Sequence, residues 1–254
     1  MKIATWNVNS IRARQDAVLQ WLQEAAPDVL CLQETKVPDE AFPGLELSAR
    51  GYRAEISGQR AYNGVAIISR EPATDVVREL PGTENDHRFL AATVSGVRVL
   101  CAYIPNGGQV GSDKHAYKLR WFEALHTFLK RNHDPNEMLL LCGDFNVATE
   151  ERDVYDPLIL GGDVCYHESV RAALAPIAEW GLVDAYRLHD DNDGRYTWWD
   201  YRARGFERNR GMRIDHIWVT RPLAERCTAA TIDFEPRKRD KPSDHAPVLI
   251  ELDG

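Results

Sequence analysis

The chain of 254 residues is long enough for one large domain with a buried core, and 44% hydrophobic with 28% charged residues is an ordinary globular composition. With 39 acidic against 31 basic side chains, the net charge of −8 excludes a protein that coats nucleic acid by bulk charge, though not one with a local basic face. No apolar run approaches the roughly 20 residues of a membrane span, so no membrane is expected among its partners.

The first residues, KIATWN, enter a strand pattern over 2–7 at once and leave no room for a leader peptide, which sets the expectation of a cytoplasmic protein. A helix is predicted over 12–26, where Val18, Leu19 and Leu22 recur at helical spacing. Runs rich in Val, Ile and Leu predict strands over 28–33, 64–69, 90–95 and 97–104. The turn at Ser95-Gly96 is too short for a parallel connection. A second helix is predicted over 115–131, a strand over 138–143, and a third helix over 168–181 that stops at Trp180-Gly181. Strands over 214–220 and 246–252 complete the set. The loops 105–113, 150–167 and 189–195 are too short to divide domains, so residues 1–254 are expected to form one. Hairpins mixed with helical crossovers call for two packed mixed sheets flanked by helices. The five cysteines show no Cys-x-x-Cys spacing, and Cys31, Cys101 and Cys142 lie inside apolar runs, so reduced core thiols are expected.

Chemistry collects where these runs stop. The first ends on Asn7, the second is followed by Glu34, and Tyr103 stands near the end of 97–104. Run 138–143 leads into Asp144 and Asn146, Asp215 interrupts RIDHIW, and Ser243-Asp244-His245 introduces the last strand. One carboxylate at a strand end is ordinarily a turn former; their recurrence suggests a shared rim. Two carboxylates about 4 Å apart repel by about 4 kcal/mol at an effective dielectric of about 20. Glu34, Asp144, Asp215 and Asp244 together therefore call for a cation. Oxygen ligands with at most one imidazole suit Mg²⁺, with Mn²⁺ as substitute, and Mg²⁺ beside carboxylates points to phosphoryl-ester hydrolysis. Residues 202–213 (RARGFERNRGMR) set Arg202, Arg204, Arg208, Arg210 and Arg213 against one Glu207. Such a run is ordinarily a solvated loop, but here it leads into the Asp215 segment and is read as a phosphate-facing patch.

The strings WNVNSIRAR, LQETK, YNGVAI, YIPNG, GDFNVA, TWWDYRARGFERNRGMRIDHI and SDHAPV occur in that order between residues 4 and 248. They resemble the successive blocks of the exonuclease III family of apurinic/apyrimidinic endonucleases, within the DNase I-like endonuclease/exonuclease/phosphatase superfamily. The resemblance implies an α/β fold, a four-layer αββα sandwich with its active site at one end of the sheets, in a monomer. It implies a Mg²⁺-dependent DNA repair phosphodiesterase that cuts 5′ to abasic sites and/or removes 3′-terminal nucleotides and 3′-blocking groups. Its partner is then double-stranded DNA with abasic sites, nicks or 3′ ends.

Residue roles follow from the same resemblance. Glu34 matches the principal metal ligand with Asn7 beside it, and Asp144, Asn146, Asp244 and His245 complete the metal environment. Tyr103 contacts phosphate or helps activate the nucleophile, Asp144 orients or deprotonates the attacking water and can protonate the leaving group, and Asn146 stabilises the pentavalent state. Asp215 pairs with His245. The pocket for a baseless sugar is expected at Trp198 and Trp199; strand alternation allows at most one of them into the cleft and sends Trp218 to the core. Arg202, Arg208 and Arg210 are expected on DNA. His167, ordinarily a surface residue beside a helix start, is read as a steric gate favouring nicked or 3′-end substrates. Two other readings compete. An inositol-phosphate phosphatase, sphingomyelinase-like enzyme or deadenylase shares the Asn, Glu, GDFN and SDH blocks but lacks the TWWDYR…RID string. A catalytically silent DNA-binding module would have lost a catalytic residue, and none is lost.

Overall fold

A computed structural model describes residues 1–253. Its strands are β1 (Lys2–Asn7), β2 (Val29–Gln33), β3 (Arg53–Ser57), β4 (Val65–Ser69), β5 (Thr74–Val77), β6 (Phe89–Val94), β7 (Val97–Tyr103), β8 (Leu139–Asp144), β9 (Leu182–Asp184), β10 (Trp198–Trp199), β11 (Gly211–Met212), β12 (Asp215–Thr220), β13 (Cys227–Ile232) and β14 (Val248–Leu252). The helices are α1 (Ile11–Ala25), α2 (Gly44–Ser48), α3 (Asp113–Asn132), α4 (Pro157–Leu160), α5 (Glu168–Glu179) and α6 (Arg221–Ala224).

Two six-stranded sheets run β13-β14-β1-β2-β4-β3 and β5-β6-β7-β8-β12-β9, and β10 with β11 forms a separate ribbon. Each large sheet has one parallel pair, β1 with β2 and β7 with β8. A parallel pair needs a long crossover, which α1 and α3 supply. Side-chain alternation then sorts the strands into layers. On β2, Val29 and Cys31 join Leu140, Cys142 and Ile217 between the sheets, while Leu30 and Leu32 turn outward onto Trp21 and Leu22 of α1. On the far side, Leu100 and Leu141 meet Trp121, Phe122 and Leu125 of α3 and Leu174 of α5. The result is the four-layer αββα sandwich. Ser112 caps α3 by accepting from the His115 N–H, and Lys130 and Arg131 in its last turn complement its dipole.

All eight predicted strands and three predicted helices are present, with ends shifted by one or two residues. The strands not anticipated include β3, β5, β9 and β13, which are the four edges of the two sheets. An edge strand is covered on fewer sides and carries no continuous apolar run: β13 is largely accessible and β3 begins exposed. The five thiols are free, four of them buried and Cys227 half-buried on an edge. No helix among the described residues is long and apolar enough to cross a membrane.

Candidate active site

Strand register assembles the polar strand ends. Asp144, last in β8, is paired with Tyr103 at the end of β7 on one side and with Asp215 at the start of β12 on the other. Gly143 makes the approach of β7 and β8 possible: at φ +141 its Cβ would stand 1.8 Å from the Ala102 carbonyl oxygen. In the other sheet Asn7 ends β1 beside Gln33, and the chain turns immediately through Glu34 at φ +53. His245 enters from the segment before β14. The Trp6 indole donates to its carbonyl (3.1 Å), and its own N–H donates to Ser243 Oγ (3.2 Å), which in turn donates to the Asn7 carbonyl (2.7 Å).

The face-to-face packing of the sheets closes the site. Asn7 Nδ2 donates to Glu34 Oε1 (3.0 Å) and to Asp144 Oδ2 (2.9 Å), bridging one sheet to the other. Its Oδ1 accepts from the Asn9 N–H (2.9 Å), so Asn7 orients the two carboxylates and does not offer them an oxygen neighbour. Tyr103 donates to Glu34 Oε1 (2.8 Å), while Lys36 Nζ lies 2.6 Å from Glu34 Oε2. Asp144 Oδ1 accepts from the Asn146 N–H (2.9 Å). His245 Nδ1 is 2.8 Å from Asp215 Oδ2, and its Nε2 is 3.9 Å from Asp144 Oδ2. Asp244 stands at the rim, accepting from Asn9 Nδ2 (3.0 Å) and Trp198 Nε1 (3.1 Å).

These contacts divide the titratable groups. Burial works to raise Glu34, but the Asn7 hydrogen bond and the Lys36 ammonium outweigh it and hold the carboxyl below its ordinary range. Asp144 is pushed up to about 7 by burial, with Asp215 and Glu34 reinforcing it against His245 and Asn7. Burial opposes the cationic form of His245, yet Asp215 and Asp144 together lift it to about 10. Burial, and then Glu34, raise the Tyr103 phenol well above its ordinary value.

Glu34, Asp144 and His245 each present a ligand atom, all within 4.8 Å of one another. Two carboxylate oxygens with at most one imidazole fit a hard divalent cation, and the raised Asp144 is what two buried carboxylates show until a cation compensates them. Asn146 is turned elsewhere: its Nδ2 donates to the Ile104 carbonyl (3.0 Å) and its Oδ1 accepts from Asn106 Nδ2 (3.0 Å), at the cleft wall.

The cleft has a volume of about 380 Å³ and is lined by the polar Glu34, Tyr103, Asp144 and His245 and by the apolar Val164, Trp198, Met212 and Ile214. Trp198 and Met212 are partners in the β10–β11 ribbon, from whose end the arginine loop hangs. Trp199 faces away: it is 1% exposed, donates to Asn209 Oδ1 (3.1 Å) and packs on Phe206 and Phe234. Trp218 is buried against Phe145. Arg202, Arg204, Arg208 and Arg210 are exposed, but Arg213 leaves the basic face altogether. Its guanidinium is buried between Asp153 (2.7 Å) and Asp184 (2.6 Å), fastening the 150–156 loop to β12. His167 caps α5 by accepting from the Ser169 N–H; it is Asp163, Val164 and Cys165, just before it, that line the cleft.

Several side chains of the site were not singled out by sequence reasoning. Asn9 and Lys36 hold Asp244 and Glu34, and the Arg88 guanidinium lies 4.3 Å over the Tyr103 ring. Lys36 and Asn106 stand within the strings LQETK and YIPNG. Lys118 had a signal of another kind, a charged residue on the apolar stripe of a helix.

The profile of the Endonuclease/Exonuclease/phosphatase family matches residues 4–245. Exodeoxyribonuclease III of Haemophilus influenzae is 32% identical, over 99% of this chain and 100% of the relative. An AP endonuclease structure from Archaeoglobus fulgidus superposes with a TM-score of 0.98 at 42% identity, covering 100% of both chains. The 3′ phosphatase NExo from Neisseria, solved bound to product DNA hairpin, gives 0.95 at 40% identity, again over 100% of both chains.

Proposed function

Since the chain belongs to the endonuclease/exonuclease/phosphatase family, we propose that it is a metal-dependent DNA repair nuclease acting on abasic sites, nicks and 3′ ends of duplex DNA. The observation that carries this is the hydrogen-bonded Asn7-Glu34-Asp144 and His245-Asp215 cluster, whose Glu34, Asp144 and His245 line one cleft together with the apolar side chains of Trp198, Met212 and Ile214. The family is metal-dependent, and Glu34 and Asp144 are the carboxylates placed to hold the ion, with Mg²⁺ favoured by their oxygen donors and His245 standing beside them. A cation held by these carboxylates would neutralise phosphate charge and polarise a phosphoryl oxygen.

The chain's own groups supply the rest. Asp144 is the base: its carboxylate is held by the Asn7 amide on one oxygen and the Asn146 N–H on the other, and its raised value suits proton uptake from water near neutrality. His245, kept cationic by Asp215, sets positive charge against the phosphodiester. Tyr103 stays protonated, which supports hydrogen-bond donation to phosphate over a part in activating the nucleophile. A deoxyribose lacking its base flips out at little stacking cost and fits an apolar wall that a base would crowd. A steric gate at His167 would act on the lip formed by Asp163–Cys165. Assay of one sample, with Mg²⁺ and with EDTA, on an abasic duplex, a blunt duplex and a 3′-phosphate nick tests the reading. No cleavage of any of the three would overturn it.

The two tryptophans are expected to separate cleanly. Trp198→Ala should lower kcat/KM on the abasic duplex by about 10²-fold with a smaller loss of Tm than Trp199→Ala, since it removes a half-buried cleft side chain and its hydrogen bond to Asp244. Trp199→Ala instead empties a filled core position and should cost about 3–5 kcal/mol of stability. Equal thermal losses in both variants would refute the division.

Arg208→Ala with Arg210→Ala is expected to flatten the salt dependence of DNA binding by about one unit of slope for each phosphate the protein no longer neutralises. Both side chains are exposed at the end of the ribbon that bears Trp198. An unchanged slope would make the run a solvated loop.

A further inference from the structure

Lys118 belongs to α3 and stands on the same stripe as Trp121, Phe122 and Leu125, with none of its surface exposed. Its ammonium donates to the Asn146 carbonyl (2.6 Å) and the Asn106 carbonyl (3.0 Å) and makes no ion pair among the described residues. An enclosed ammonium without a counter-ion is unfavourable, and an apolar side chain would occupy this stripe more readily. Its contacts show what it holds in place.

Both carbonyls belong to turns that build the cleft, one after β7 and one after β8. Their side chains are joined by the Asn106 Nδ2 to Asn146 Oδ1 hydrogen bond (3.0 Å). Asn146 sits at φ +51, in the left-handed region that side-chain-bearing residues enter only when held there. From that conformation its N–H reaches Asp144 Oδ1 (2.9 Å). The neighbouring Gly107, at φ +92, lies directly on the lysine stem: a Cβ there would come within 2.9 Å of Lys118 Cδ.

We propose that Lys118 is a positioning residue for the cleavage reaction. From behind the cleft wall it clamps the Asn106 and Asn146 turns to each other, so that the Asn146 amide and the Asp144 carboxylate hold the geometry the reaction requires. Its fixed positive charge also adds to the field that receives an anionic phosphate. The assignment rests on the nuclease reading above.

The test is a mutant cycle of Lys118→Met, Asn146→Ala and the double variant, following kcat, KM and thermal melting on the abasic duplex with Mg²⁺. Lys118→Met is expected to lower kcat about ten- to a hundredfold while KM moves less than about threefold. In the Asn146→Ala background the same change is expected to cost less than about threefold, because loss of the Asn146 side chain already cuts the Asn106 link between the two turns and leaves Lys118 little to hold in register. Losses that multiply, a wild-type kcat, or a loss that tracks only the unfolded fraction would each overturn the proposal. If Lys118→Met does not fold, Lys118→Leu, which likewise lacks a donor, carries the same cycle, with the same outcomes decisive. A wild-type protein inert on DNA would fail the nuclease reading itself, whereas an active wild type with an additive cycle removes only Lys118.

Discussion

Asp144→Asn should lower kcat/KM on an abasic duplex by about 10³-fold while leaving the protein folded and more stable at alkaline pH, since a positioned general base supplies about 10²–10⁴ in rate. The stability sign follows from the direction of the shift. Asp144 is raised to about 7 by burial, so between its ordinary carboxyl range and about 7 the folded chain binds a proton that the unfolded chain has released. Stability contributed by that proton is present below this window and is lost as pH rises through it. Asparagine is isosteric and uncharged and removes the loss. Activity moves the other way: in the wild type at limiting Mg²⁺, kcat/KM should climb through about pH 7 as the carboxylate forms and decline towards about 10 as His245 loses its proton. Raising Mg²⁺ should draw the lower limb to more acidic pH, because cation and proton compete for one carboxylate. A variant that keeps wild-type rates, or keeps the lower limb unchanged, would take the base assignment away from Asp144.

Glu34→Gln is expected to be nearly as damaging, for a different reason. The side chain collects Asn7, Tyr103 and Lys36 around one carboxylate, and that concentration of donors keeps it ionised and ready to bind a cation. The amide keeps the volume but removes the charge, so metal affinity falls and Lys36 is left facing a neutral group. Electrostatic assistance by a metal is worth several kcal/mol, or about 10²–10⁴ in rate at ordinary Mg²⁺. Part of the activity should return at high Mg²⁺ or Mn²⁺, and calorimetric titration should show the weakened site directly. Wild-type activity in EDTA, or an unaltered metal titration in the variant, would sink the assignment.

The sequence was most informative where a strand is covered on both faces. β1, β2, β4 and β8 read as apolar runs because two sheets and two helical layers enclose them, and the polar residues that end β1, β7 and β8 stood out against that background. The edges of both sheets were silent for the opposite reason. α2, α4 and α6 are too short for any periodicity to accumulate. Within the site, alternation separated Trp198 from Trp199, since it is a local property of an extended chain. Nothing local distinguishes Arg213 from Arg210, three residues before it: one is sealed between Asp153 and Asp184 and the other is exposed, and only tertiary packing decides which. Asn9 and Lys36 have the same history, polar residues in turns whose importance depends on what the opposite sheet brings to them.

The two sheets carry the same strand sequence of orientations when β13-β14-β1-β2-β4-β3 is laid over β5-β6-β7-β8-β12-β9, with α1 and α3 in equivalent crossovers. The molecule thus repeats one strand topology in its two sheets, and the active site takes residues from both. Asn7 and Tyr103 end corresponding strands; Asp144 is the register partner of Tyr103 as Gln33 is of Asn7, and Glu34 follows Gln33 by one residue. A perfect repeat would give two interchangeable acids, each half-suited to either task. The symmetry is broken by what surrounds each acid: the Asn7 amide and Lys36 draw Glu34 toward the anion, while burial, reinforced by the strand partner Asp215, pushes Asp144 toward the acid. From one repeated scaffold the chain obtains two carboxylates with opposed proton affinities: Glu34 is held ready for a cation, and Asp144 is the one of the two that also takes up a proton.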